Sequence, residues 1–131
     1  MKRTARPDGS FSRGTVQSIW DRDKGRCAWC GTPIWGERGV NWSVHHIEAR
    51  GMGGTNSAYV GMASNGVLLH GSGTTACHGY VESHRDEAAD KGFLIARSGI
   101  ERPGNVPIEH AVHGRCLLMD NGTVVRGVEV F

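Results

Sequence analysis

Four cysteines and seven histidines are the chemistry-bearing stock of this 131-residue chain, and most of them are grouped. Cys27-Ala28-Trp29-Cys30 puts two thiols two residues apart, a spacing that lets both bind one tetrahedral zinc. Two more ligands must come from elsewhere, and Cys77 is the natural third. Cys116 adjoins Leu117 and Leu118 and reads instead as a small buried apolar residue. His45-His46 forms a second group and His78, next to Cys77, a third. Histidine titrates near neutral pH, so such residues can serve as a base or as metal ligands without a large pKa shift.

These residues need elements to bring them together. Val16, Ile19 and Trp20 share one face of a predicted first helix, with Ser12 or Thr15 as its N-cap and Gly25 as its stop. That helix delivers the chain to Cys27. Residues 31 to 41 read as an irregular or hairpin segment, 42 to 47 as a short strand, 48 to 64 as mostly loop, and 66 to 70 as a second strand introduced by Asn65. A helix is predicted from about Ala76 to Asp90, with Gly92 as its stop. Further on, Asn121-Gly122 between 115–120 and 123–126 is a strong hairpin signal.

Geometry limits what can converge. Successive residues of a regular strand face opposite ways, so His45 and His46 can meet at one centre only if the strand ends or bulges at His45. On a continuous helix Val81, Glu82 and Arg85 lie above His78, whereas His84 is roughly 120° around the axis and reads as a surface or phosphate-facing residue.

Composition sets the frame. The length suits one domain, and a hydrophobic share of 38% with only short apolar runs excludes a membrane span and an extended disordered chain. Twenty glycines mark a loop-rich fold whose small core needs a staple. The basic N-terminus lacks an apolar stretch behind it, so a cytoplasmic, reducing location is expected, in which paired cysteines favour metal over disulfide. Net charge is only +2, but residues 1 to 26 hold seven Lys/Arg against three Asp, which suits a phosphate-facing arm. The expected organisation is a mobile basic arm over residues 1–12, a core over 13–100 and a C-terminal hairpin extension over 101–131.

The order Cys-x-x-Cys, a strand ending in His45-His46, Asn65 before a second strand, and a helix opening with Cys77-His78 resembles the HNH endonuclease family. Arg50-Gly51-Met52-Gly53-Gly54 and the stretch from Asn65 to Arg85 look most like the small HNH proteins of tailed bacteriophages and prophages. The resemblance spans residues 27 to about 85. It implies a small α+β fold: a zinc-stapled ββα-metal core with an N-terminal helix and a C-terminal β-hairpin.

It also implies roles. His46 takes the general-base position, and His45 and His78 hold a catalytic divalent ion (Mg²⁺, Mn²⁺, Ni²⁺ or Zn²⁺), with Glu82 as a further ligand or a contact of one. Asn65 braces the loop that carries the base, with Asn56 as the fallback. Phosphodiester hydrolysis needs such a base and such a cation. The family's fourth zinc ligand is usually a cysteine at the end of the second strand; this chain has His70 there, giving a structural zinc on Cys27, Cys30, His70 and Cys77, with His84, Cys116 or water as substitutes for His70. Arg50 and Arg85, with Lys2, Arg3 and Arg6 of the arm, are the candidate DNA contacts.

The expected activity is metal-dependent DNA endonuclease cleavage, leaving 5′-phosphate and 3′-hydroxyl ends. A viral origin would add genome packaging and a phage terminase partner. The rival expectation is a non-catalytic, zinc-stapled DNA-binding or packaging accessory protein.

Overall fold

The computed structural model describes residues 9–49, 58–96 and 102–127. Lys2, Arg3, Arg6, Arg50, Asn56, the 51–54 glycine loop and the expected boundary at residue 100 lie outside these. The fold is α+β, with helices α1 (Arg13–Asp23), α2 (Ala76–Ser83) and α3 (Arg85–Asp90). An antiparallel hairpin pairs β1 (Trp42–His46) with β2 (Gly66–His70), and a second antiparallel sheet holds β3 (Ile108–His110), β4 (Gly114–Leu118) and β5 (Val124–Arg126) in chain order. Among the described residues no helix is long and apolar enough to cross a membrane.

Ser12 caps α1 by accepting the Thr15 N–H at 3.1 Å. Lys24, not Gly25, takes the left-handed terminal position, at φ 60°. Gly25 follows in the same conformation, and both its φ of 63° and its closeness to Trp20, where a Cβ would stand 3.0 Å from the indole, suit glycine. The segment assigned to a mobile arm reaches too far: Phe11 is buried against Ile19 and Gly66, so residues 9 to 12 belong to the folded body.

β1 and β2 pair from Trp42 with His70 to His46 with Gly66. Pairing therefore continues through His46, and the break at His45 needed for the two imidazoles to converge is absent. Val67, Leu68 and Leu69 are all fully buried. Each such side chain contributes about 1.5–3 kcal/mol over leaving it in water. Among the described residues the outer edge of β2 meets no third strand; Leu68 accepts from the Ala28 N–H at 2.8 Å and donates to Asp23 Oδ2 at 3.3 Å, while the Gly66 carbonyl accepts from Arg22 at 2.7 Å. Side chains from the end of α1 thus close an edge that would otherwise hold unpaired backbone groups.

The helix expected over 76–90 is two helices broken at His84 (φ −120°, ψ 63°). No proline or glycine causes the break. The Tyr80 carbonyl keeps its helical bond from the His84 N–H at 2.8 Å and also accepts from Ser83 Oγ and His84 Nδ1, at 3.2 and 3.1 Å; such side-chain donors crowded on one helical carbonyl bend the chain. The C-terminal extension is likewise more than a hairpin. β3, only three residues long and directly after Pro107, adds a strand. In the β4–β5 turn the Gly122 N–H donates to the Met119 carbonyl, with Gly122 at φ 90°, the pattern of a three-residue loop with glycine at its left-handed position.

Candidate metal centres

α2 opens against the hairpin, and its first turn supplies two clusters at once. Ala76, at φ 51°, is a strained left-handed residue, and the two residues after it diverge: Cys77 joins Cys27, Cys30 and His70, and His78 joins His45 and Glu82.

In the second cluster the outward nitrogens settle the tautomers. His45 Nε2 lies 2.7 Å from the Phe93 carbonyl, which can only accept, so Nε2 carries the hydrogen and Nδ1 the lone pair. Ser43 Oγ donates to the Gly71 carbonyl and therefore accepts from His78 Nδ1 at 2.6 Å, which leaves the lone pair on His78 Nε2. These lone pairs face each other at 3.2 Å. Glu82 Oε2 is 3.5 Å from the first and 3.6 Å from the second.

Burial above all pushes His45 down to about 3, with the charges of His78, His46 and Arg85 outweighing the Phe93 carbonyl. Burial also lowers His78, against the pull of Glu82. The two ring lone pairs and a Glu82 carboxylate oxygen therefore converge, an arrangement that favours a cation. Tetrahedral nitrogen and oxygen ligands about 2.0–2.1 Å from an ion stand about 3.3–3.4 Å apart, so the donor set fits one.

Exposure rises outward from 1% at His45 through 14% at His78 to 36% at Glu82, the side chain on the rim of an open groove of about 590 Å³ along α2. Glu82 Oε1 is held by Arg85 at 2.9 Å, although the break at His84 removes the helical register that was expected to align Arg85 with His78. His84 itself stacks on Tyr80 at the surface and enters neither cluster.

The first cluster is a four-ligand set. His70 Nε2 donates to the Pro33 carbonyl at 3.0 Å, which turns the Nδ1 lone pair toward Cys30 Sγ at 3.3 Å and Cys77 Sγ at 3.9 Å. All four ligand atoms lie within 4.8 Å of one another, and three thiols with one imidazole are ordinary zinc donors. Burial raises Cys27 and Cys77. At Cys30 burial also acts upward but is outweighed by hydrogen bonds, chiefly from Thr32, that bring the thiol down to about 7.

A third group, Asp23, His110 and His113, was not marked by the sequence. His110 Nε2 donates to Asp23 Oδ1 at 2.9 Å, and its Nδ1 accepts from the Val112 N–H at 3.1 Å. His113 Nε2 donates to the Arg22 carbonyl at 2.8 Å, and its Nδ1 accepts from Arg126 at 2.7 Å. Both imidazoles have each nitrogen committed, so this group is a closed hydrogen-bond network. Burial pushes Asp23 up, but His110 and Arg22 outweigh it and hold the carboxyl down to about 2.

Asn65 is buried between the hairpin and the loop after β1. Its Oδ1 accepts from the Glu48 N–H at 2.7 Å, and its Nδ2 donates to the carbonyls of Glu48 and Val60. It thereby braces the segment following His46. Glu48 is itself buried, with Oε1 lacking a hydrogen-bond partner among the described residues. His46 stands apart from the ligand cluster, with Nε2 on the Gly9 carbonyl and its ring stacked on Phe11. Cys116 is fully buried in β4, and burial pushes its thiol up to about 11. No family model, no curated protein and no solved structure matches this chain.

Proposed function

We propose that this protein is a metal-dependent DNA endonuclease of the HNH type, hydrolysing phosphodiester bonds with His46 as general base. The observation that carries the reading is the meeting of His45 Nδ1, His78 Nε2 and Glu82 Oε2 as three inward-facing acceptor atoms, with Glu82 on the rim of an open groove. The order of residues that resembles the family adds to it. His45, His78 and Glu82 would hold the divalent ion, and Cys27, Cys30, His70 and Cys77 a structural zinc. When bound, the divalent ion supplies positive charge against the charge that develops on phosphate and leaving oxygen.

The chain's own residues do the rest. His46, with Nε2 on the Gly9 carbonyl, is the imidazole that takes a proton from the attacking water. The water oxygen bonds to phosphorus, the P–O3′ bond breaks, and the 3′ oxygen leaves as a hydroxyl after gaining a proton from solvent. His45 and His46 face opposite ways at the end of β1, with their charges still interacting, so in this scheme the phosphate lies across the strand end instead of between converging imidazoles. Asn65 limits movement of the segment after the base, and Arg85, exposed beside Glu82, is placed to meet a phosphate.

Nicking of supercoiled plasmid across several divalent ions, with and without EDTA, tests the reading. His46→Ala should lower the rate by ~10²–10⁴ with zinc content unchanged. Activity within a factor of two of the parent would overturn the assignment of the base. Absence of cleavage with every ion would favour the non-catalytic DNA-binding alternative.

A further inference from the structure

Four aromatic rings run outward from the core beside the candidate ion site. Phe93, fully buried, meets Trp29 edge-on with centroids 4.9 Å apart, Trp29 meets Tyr80 at 5.6 Å, and Tyr80 is stacked on His84 at 3.8 Å with the planes 12° apart. The last two rings are fixed. The Tyr80 hydroxyl donates to Glu87 Oε1 at 2.5 Å, and His84 Nδ1 donates to the Tyr80 carbonyl at 3.1 Å. His84 stands at the break between α2 and α3, is exposed, and meets no other ring among the described residues. Tyr80 covers one face of the imidazole, and the other is presented to solvent.

This free face adjoins the ion site. A hollow of about 480 Å³ running from Glu82 to Glu87 includes His84. Glu82 and Ser83 line both this hollow and the groove along α2, and Glu82 is the most exposed member of the group it forms with His45 and His78.

We infer that Tyr80 and His84 form a stacking platform for one unpaired nucleobase beside the phosphate at the ion, so that the substrate class is DNA with an unpaired base next to the cut: a bulge, a flap or a single strand. The inference rests on the nuclease reading and narrows its substrate. Inside a duplex both faces of a base are covered by its neighbours, and only a base outside the stack can lie on a ring that offers one face. The local charge selects a base over a phosphate, because from Glu82 to Glu87 the surface carries three carboxylates against the single guanidinium of Arg85. A ring already held by a stack and a hydrogen bond loses little freedom when a base settles on it.

The test compares two DNA duplexes of one sequence, fully paired and with a single bulged adenine, each added to the zinc-loaded full chain without further divalent ion. The bulged duplex should bind about five- to a hundredfold more tightly. The His84 ring protons should move upfield with it, as those of a ring lying on a base do, and stay in place with the paired duplex. His84→Phe keeps a ring and should keep the preference, whereas His84→Ala and His84→Lys should lose it.

Equal affinities of the parent for the two duplexes overturn the platform, whatever the variants do. A preference kept by His84→Lys and lost by His84→Phe overturns it too, since the contact is then with a phosphate. The nuclease reading stands or falls separately. Cleavage of both duplexes at one rate, with equal affinities, supports that reading and overturns the platform; a bulge preference with the upfield shift, and no cleavage with any divalent ion, supports the platform and overturns the nuclease.

Discussion

Among the described residues two groups join two histidines to a carboxylate, one at His45, His78 and Glu82, opening from a buried ring to the surface, the other fully buried at Asp23, His110 and His113. By residue type they are the same, and both are compact enough for an ion. They differ in where the protons are. In the first, both imidazoles spend their N–H on outward acceptors and turn lone pairs inward; in the second, every ring nitrogen has a partner and the carboxylate accepts from His110, Arg22 and the Leu68 N–H. A cluster of ligand-type residues is thus a metal site only when its hydrogen bonds leave acceptors facing one another, and otherwise it is a fastening.

The largest expected effect breaks the first group alone. His78→Ala should abolish cleavage, a loss of more than ~10²-fold, while thermal unfolding shifts little, because His78 is partly exposed and its main structural bond is to Ser43. Isothermal titration with a divalent ion, zinc site filled, should then lose one binding event. The same titration on His110→Ala should keep it. Loss of that event in His110→Ala would place the ion in the wrong group.

Next in size is the fastening. Asp23→Ala leaves the buried Arg22 charge and the Leu68 N–H without their partner, and unfolding in urea should show a loss of about 3–5 kcal/mol. Retained stability would mean that the network is not what holds the C-terminal sheet to α1.

Acid sharpens the contrast. The folded-state pKa of Asp23, about 2, lies below its ordinary 3.8, so its ionised form stabilises the fold above about pH 4 and that contribution is lost as pH falls toward 2. The size is about 2 kcal/mol. His113, also lowered by burial, has the same sign higher up: stability starts to fall as pH drops below its ordinary 6.5. Urea midpoints from pH 7 to 2 should decline in the parent; below pH 4 the decline should be shallower in Asp23→Asn, where the loss from buried His45 continues down to about pH 3.

The smallest effect belongs to Arg85→Ala. Its ion pair with Glu82 is exposed and contributes at most ~1 kcal/mol to stability, so unfolding should barely change. The salt dependence of DNA binding should weaken by about one unit of slope if Arg85 contacts a phosphate.

The paired spacings of Cys27 with Cys30 and of Cys77 with His78 were legible because ligand chemistry constrains local sequence, and the hairpin and its flanking helix followed from short periodic runs. Other features had no local signature. Arg22 and Asp23 enter the sequence only through the charge count of residues 1 to 26; their burial depends on the open edge of β2, distant in sequence. Phe11 sits in a glycine- and serine-rich stretch without periodicity, so only its contact with Gly66 shows it to be core. The break at His84 comes from side-chain bonds to one carbonyl, which neither proline nor glycine announces, and β3 is too short for alternation to register.

The register of β1 against β2 also bears on how the chain tells two identical side chains apart while folding. A slip of one residue would set His46 across from Val67, in the place where His45 now faces His78, and would put Ile47 beneath Phe11. The slipped hairpin would still bring an imidazole toward α2, but it would carry the buried Val44 into the half-buried place of Ser43 and set His45 against Leu68, so burial opposes it. Gly66 opposes it as well: as the one residue of β2 without a side chain, it marks where Phe11 can enter, and in the native register His46 is the residue opposite. The missing side chain acts as a ruler, measuring the strand to the nearest residue.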